Sequence, residues 1–109
     1  MVLNLLAETE KFLKENGKSW KDVEWIGNRN FRISIDNFKE VADQFYNNRG
    51  DASVAIDLLI VGRNWWLERD CNEVSEGWSY REIIKKPKEI RKIKNLIKAD
   101  SFFHLEEMQ

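Results

Sequence analysis

Three carboxylates raise the first chemical question. Asp57, Glu68 and Asp70 fall on adjacent segments with strand-like patterning. Carboxylates on neighbouring strands can hold Mg²⁺ for phosphodiester hydrolysis. Glu68 and Asp70 are two residues apart, so on a strand they share a face. A restriction-type nuclease wants a lysine two residues after its glutamate, and Asp70 occupies that place. The expectation is a solvated sheet face with Arg69 nearby, without metal. One His and one Cys are too few for the usual zinc sites, which take three or four such ligands. A Ser-His-acid or Cys-His arrangement would need His104, beside Phe103 near a chain end. The glycines at 17, 27, 50, 62 and 77 each sit where a turn is expected, so no phosphate loop is read. The chain is expected to be non-enzymatic, with no catalytic residue and no cofactor.

Two surfaces could bind instead. Trp65 and Trp66 are adjacent on a predicted strand, so their rings emerge on opposite faces. If helices cover one face only, one indole lies in the open, where Trp78 or Tyr80 of the next strand could join it. Trp65, Trp66, Trp78 and Tyr80 are thus the candidate protein-binding residues, since exposed Trp and Tyr serve as interface anchors. If helices cover both faces, all these rings are core. The second surface is basic. Residues 81–98 carry eight Lys/Arg against Glu82 and Glu89, whereas residues 1–80 carry ten against fourteen Asp/Glu. Lys85, Lys88, Arg91 and Lys92 are the candidate phosphate contacts if this segment meets DNA or RNA. A net charge of −1 and a pI near 5.9 weaken any long-range attraction, so nucleic acid is the alternative rather than the leading partner.

The elements that must position these residues follow from periodicity. Val2, Leu5, Leu6, Thr9, Phe12 and Leu13 recur at helical spacing, stopped by Asn16-Gly17. Ser19 is placed to cap a short turn, and a strand follows over Val23 to Ile26. Gly27-Asn28-Arg29-Asn30 makes a hairpin connection to a strand through Phe31, Ile33 and Ile35. Asp36 is the expected N-cap of a second helix, with Phe38, Val41, Ala42 and Phe45 on one face, running to about Tyr46. Ser53 to Val61 is apolar on both faces apart from Asp57, which predicts a central strand. Trp65 to Cys71 and Trp78 to Ile84 complete a meander through turns at Gly62-Arg63-Asn64 and Asn72 to Gly77. Lys86-Pro87 suits a helix start, and Ile90, Ile93, Leu96 and Ile97 give a third helix a narrow apolar stripe.

These elements imply a single α+β domain over residues 1–109, in the order α-β-β-α-β-β-β-α. Its antiparallel sheet has about five strands, a two-stranded hairpin plus a three-stranded meander, and there are three helices. With 42% apolar residues and thirteen aromatic residues, the chain can bury a modest core. Cys71 is the sequence's one cysteine, so no intrachain disulfide is possible, which fits a reducing compartment. The acidic N-terminal stretch lacks the basic start of a signal peptide, and no apolar run approaches membrane-span length.

The segment Ile60-Val61-Gly62-Arg63-Asn64-Trp65-Trp66-Leu67-Glu68-Arg69, with Trp78 following and Glu24-Trp25-Ile26-Gly27 upstream, resembles a group of small phage and prophage proteins of Gram-positive bacteria. The similarity spans roughly residues 18 to 84. Cys71 to Gly77 departs from the acidic, aromatic stretch that the group carries there. The resemblance supplies no catalytic residues. It implies a phage accessory protein in the bacterial host cytoplasm that binds a host protein or ribonucleoprotein, such as a CRISPR effector, to inhibit a defence complex.

Overall fold

A computed structural model describes residues 2–49, 52–72, 74–99 and 104–108. The turn signal at Gly50-Asp51 and the pair Phe102-Phe103 lie outside the described residues. Among the described residues the fold is α+β, with two α-helices, a five-stranded antiparallel sheet and a separate two-stranded sheet.

Helix α1 (Leu5–Glu15) begins where Asn4 accepts the Ala7 amide on its side-chain oxygen at 3.0 Å. It ends where Gly17 takes φ +71°, which lets Gly17 and Lys18 donate back to the carbonyls of Lys14 and Leu13. Leu5, Thr9 and Leu13 form its buried face. Thr9 is fully buried, yet its hydroxyl is satisfied by the Leu5 carbonyl at 2.7 Å.

Helix α2 (Ile35–Ala42) starts two residues earlier than the Asp36 cap predicted. Ser34 caps it, its Oγ accepting the Asn37 amide at 3.0 Å. Ile35 therefore belongs to the helix rather than to the preceding strand. Phe38 and Ala42 face the core. The helix stops at Ala42 instead of reaching Tyr46. Phe45–Asn47 (β4) instead pairs antiparallel with Val2–Asn4 (β1), and Asn4 also donates to Asp43 at 3.0 Å. Backbone pairing at this N-terminal clip outcompetes helix propensity at both of its strands.

The main sheet is built from β2 (Val23–Gly27), β3 (Arg32–Ile33), β5 (Leu59–Gly62), β6 (Trp65–Cys71) and β7 (Glu76–Glu82), in spatial order β3-β2-β5-β6-β7. The predicted hairpin and meander are both present, joined edge to edge by β2 against β5. Gly62 is required at the β5–β6 turn, since a Cβ there would lie 2.1 Å from the Trp65 indole. Both helices pack on the face that presents Ile26, Ile60, Leu67 and Trp78, and Leu5, Leu13 and Phe38 close the core.

Two further expectations are corrected. The predicted strand from Ser53 to Val61 is a strand only from Leu59 onward. Its first half cannot join the ladder, because the Ser53 and Val54 amides donate to the Glu76 carboxylate and Leu58 closes a turn onto the Ala55 carbonyl. The third helix is not formed, and residues 85–99 have no regular structure. Ile90, Leu96 and Ile97 are 95%, 63% and 80% exposed, so the stripe meets no core that would reward helix formation. Like charges three and four residues apart (Lys88, Arg91, Lys92, and Lys94 with Lys98) would repel on a helix. Asn95 also captures the Leu96 and Ile97 amides on its own side chain, a local bond that competes with the helix.

Candidate protein-interaction face

Strand register places one line of side chains across the sheet face opposite the helices. Trp25 faces Val61, Val61 faces Trp66, and Trp66 faces Arg81. The alternation is fixed by their neighbours. Ile26, Ile60 and Leu67 are 0% exposed on the helix side, so Trp25, Val61 and Trp66 must point the other way. All three are half-buried, and none belongs to the core cluster or packs against it. The next line pairs Leu59 with Glu68 and Glu68 with Ser79. An aromatic and aliphatic row with a polar border is the anatomy of an interaction patch.

The border is electrostatically ordered. Arg81 Nε donates to Glu68 Oε1 at 3.0 Å, and the Trp66 indole N–H donates to Glu68 Oε2 at 3.2 Å. Those two bonds, the Arg81 one first, hold the Glu68 carboxyl below its ordinary pKa despite partial burial. Trp66 is thereby held in one orientation, which reduces the ordering cost of presenting it to a partner.

Of the four rings singled out in the sequence, only Trp66 lies on this face. Trp65 and Trp78 are 5% and 7% exposed, within the core. Trp65 stacks on Tyr80 with ring centres 6.1 Å apart, and the Trp78 indole donates to Thr9 at 2.9 Å. Tyr80 is half-buried on the helix side and donates its hydroxyl to Glu82. Trp66 pairs with Arg81, so Trp78 and Tyr80 are out of step with it. Trp25 takes the place expected of them. The signal that could have identified it is Ile26, the apolar residue next to it that must turn inward.

Behind the face lies a buried charge cluster that sequence reasoning did not anticipate. The Arg69 side chain is 3% exposed and pairs with Glu8 at 3.3 Å and with Glu76, itself 2% exposed, at 3.2 Å. Its guanidinium lies over the Trp78 ring at 4.8 Å and also donates to Tyr46. Tyr46 in turn donates to Glu8. Burial and the Glu8 carboxylate push the Tyr46 hydroxyl up to about 12. Burial alone would raise the Glu76 pKa, but the Ser53 and Val54 amides and Arg69 outweigh it and bring it below the ordinary value. The cluster ties α1, β4 and the segment at Ser53 to the β6–β7 hairpin.

The three carboxylates do not converge. Asp57 accepts from Asn28 at 3.1 Å, Glu68 is paired with Arg81, and Asp70 accepts from Ser79 at 3.3 Å. Among the described residues no group of three or more His, Cys, Asp or Glu is placed to hold a metal ion. His104 is exposed, its amide donating to Glu107. Lys85, Lys88, Arg91 and Lys92 are all exposed on the irregular segment, with Arg91 paired to Glu89. Among the described residues no helix is long and apolar enough to cross a membrane. No protein-family model, no curated protein and no solved structure matches this chain.

Proposed function

We propose that the protein is a non-catalytic binding module whose open sheet face occludes a surface of another protein. The observation that carries this reading is the uncovered Trp25–Val61–Trp66 row, held by β2, β5 and β6 on a packed sheet. A rigid sheet presenting two indoles supplies large contact area at small entropic cost. The hairpin's likeness to phage accessory proteins supplies the partner class, a defence complex of the bacterial host cytoplasm such as a CRISPR effector, which binding would inhibit. Affinity capture from a bacterial lysate tests this when wild type is compared with a Trp25→Ala/Trp66→Ala variant of unchanged circular dichroism. A partner retained by wild type and lost by the variant supports the reading. Equal retention by both places the working surface elsewhere.

A second reading, direct contact with DNA or RNA, is favoured by the exposure of Lys85, Lys88, Arg91 and Lys92 on one segment. It ranks lower because the segment is not a preformed helix that could enter a groove.

A further inference from the structure

β7 is an edge strand of seven residues, whereas the opposite edge, β3, has two. Long edges are usually blunted by charged side chains, lysine above all, by proline or by a bulge. Glu76-Gly77-Trp78-Ser79-Tyr80-Arg81-Glu82 has no lysine or proline and its register against β6 is unbroken, while its charges, Glu76, Arg81 and Glu82, are held within the monomer by Arg69, Glu68 and Tyr80. The bonds that bracket this ladder, Asn72 to the Ser75 carbonyl and Ile83 to the Asn64 carbonyl, fix its phase. Gly77, Ser79 and Arg81 turn their main-chain groups toward β6, and Trp78, Tyr80 and Glu82 turn theirs outward. The outward Glu76 amide donates to Asn48, which closes the free stretch at that end. Among the described residues, the outward main-chain groups of Trp78, Tyr80 and Glu82 have no partner.

This free set is symmetric about Tyr80, and that symmetry selects the occupant. We infer that β7 pairs antiparallel with β7 of a second copy, about a two-fold axis at Tyr80. Tyr80 then faces Tyr80, and Trp78 faces Glu82 in both directions. Each facing pair exchanges two main-chain bonds, so the outward groups of Trp78, Tyr80 and Glu82 are satisfied on both edges. Side chains agree with this register. Arg81 falls opposite Ser79 of the second copy, whose own cross-strand neighbour is Glu68, so each arginine faces a small polar side chain with a carboxylate one strand beyond. Ile83, 57% exposed, falls opposite Gly77, the one position of the strand with no side chain. The paired sheets would carry both Trp25–Val61–Trp66 rows on one continuous face, an isologous arrangement.

The test reads mass, not partner binding, so its failure is distinct from failure of the proposed function. A strand-edge interface is small, so a reversible dimer populated at about 100 µM is expected by sedimentation equilibrium. Ser79→Lys sets like charges opposite Arg81 at two symmetric places while adding a neighbour to Glu68 within the monomer. It should keep the fold and weaken dimerisation at least about tenfold. Adding Arg81→Glu to Ser79→Lys makes the seam complementary again and should restore the dimer. A protein monomeric at about 1 mM overturns the inference and leaves the edge to a strand from another protein. A dimer indifferent to Ser79→Lys also overturns it, because the contact then lies elsewhere.

Discussion

Trp25 and Trp66 lie on the same face of the sheet with Val61 registered between them. Two interstrand spacings separate them, about 10 Å. Neither is core, and neither is covered by a helix. That relationship makes the sheet face a single patch rather than two scattered rings, and it determines what substitution there should do.

Trp66→Ala is expected to reduce affinity for the captured partner by about 2 kcal/mol or more, roughly 30-fold, as an interface anchor does. Trp25→Ala should act in the same direction. Because both rings are half-buried, each variant must first be shown to unfold cooperatively in denaturant. Calorimetric titration of the folded variants against the partner is the measurement. Affinity within about twofold of wild type would remove the row from the interface.

Ile60 sits on the central strand and is fully buried. Ile60→Ala should cost about 2–5 kcal/mol in a denaturant titration, from lost transfer energy and the cavity left behind. Leu58, half-buried and outside the strand, should cost less. Equal losses at the two positions would contradict the shortened strand, in which Ile60 is fully buried and Leu58 only packs against the core from outside it.

Glu76 has its carboxylate locked between Arg69 and the Ser53 and Val54 amides. Removing it leaves a buried guanidinium with one carboxylate fewer, and Glu76→Ala should cost about 3–5 kcal/mol. The same site gives the protein an acid limit. Its folded pKa is depressed, so its contribution to stability is complete above the unfolded glutamate value of 4.5 and is lost as pH falls through the lower folded value. Urea midpoints measured from pH 6 down to pH 3 should fall for wild type. The decline should be shallower for Glu76→Gln, which has no proton to gain. Parallel declines would assign the acid sensitivity to other carboxylates.

Much of the sheet was legible because its signals are local. The turn residues at Gly62-Arg63-Asn64 and from Asn72 onward bracketed β6, whose expected range, Trp65 to Cys71, is the one observed. What failed was decided by partners distant in sequence. Ser53 and Val54 look like strand residues until Glu76, on β7, takes their amides. Phe45 fits the apolar face of α2 until β1 offers its segment a ladder. For the candidate face, the opposition of Trp65 and Trp66 was readable from adjacency. That Trp25 rather than Trp78 shares a face with Trp66 depends on cross-strand register, which periodicity within one segment does not carry.

The basic segment supplies the last prediction, because its apolar stripe and its charge point to different experiments. Ile90, Leu96 and Ile97 are 95%, 63% and 80% exposed, so the sheet gains little from residues 85–99. A chain ending at Ile84 should therefore unfold within about 0.5 kcal/mol of the full chain, the range of surface changes. If the segment instead folds as a helix on the open face, truncation would uncover Trp25 and Trp66 and lower stability well beyond that. The charge is tested separately. Reversing Lys88, Arg91 and Lys92 to Glu should leave protein capture unchanged, and wild type should give no tight gel shift with DNA or RNA near physiological salt. Phosphate contact would announce itself as submicromolar binding whose logarithm falls with log salt by about 0.9 per neutralised phosphate, flattened by the reversal. That result would move the working residues from the sheet face to Lys85, Lys88, Arg91 and Lys92. Salt-independent capture that depends on Trp66 and survives truncation keeps them on the sheet.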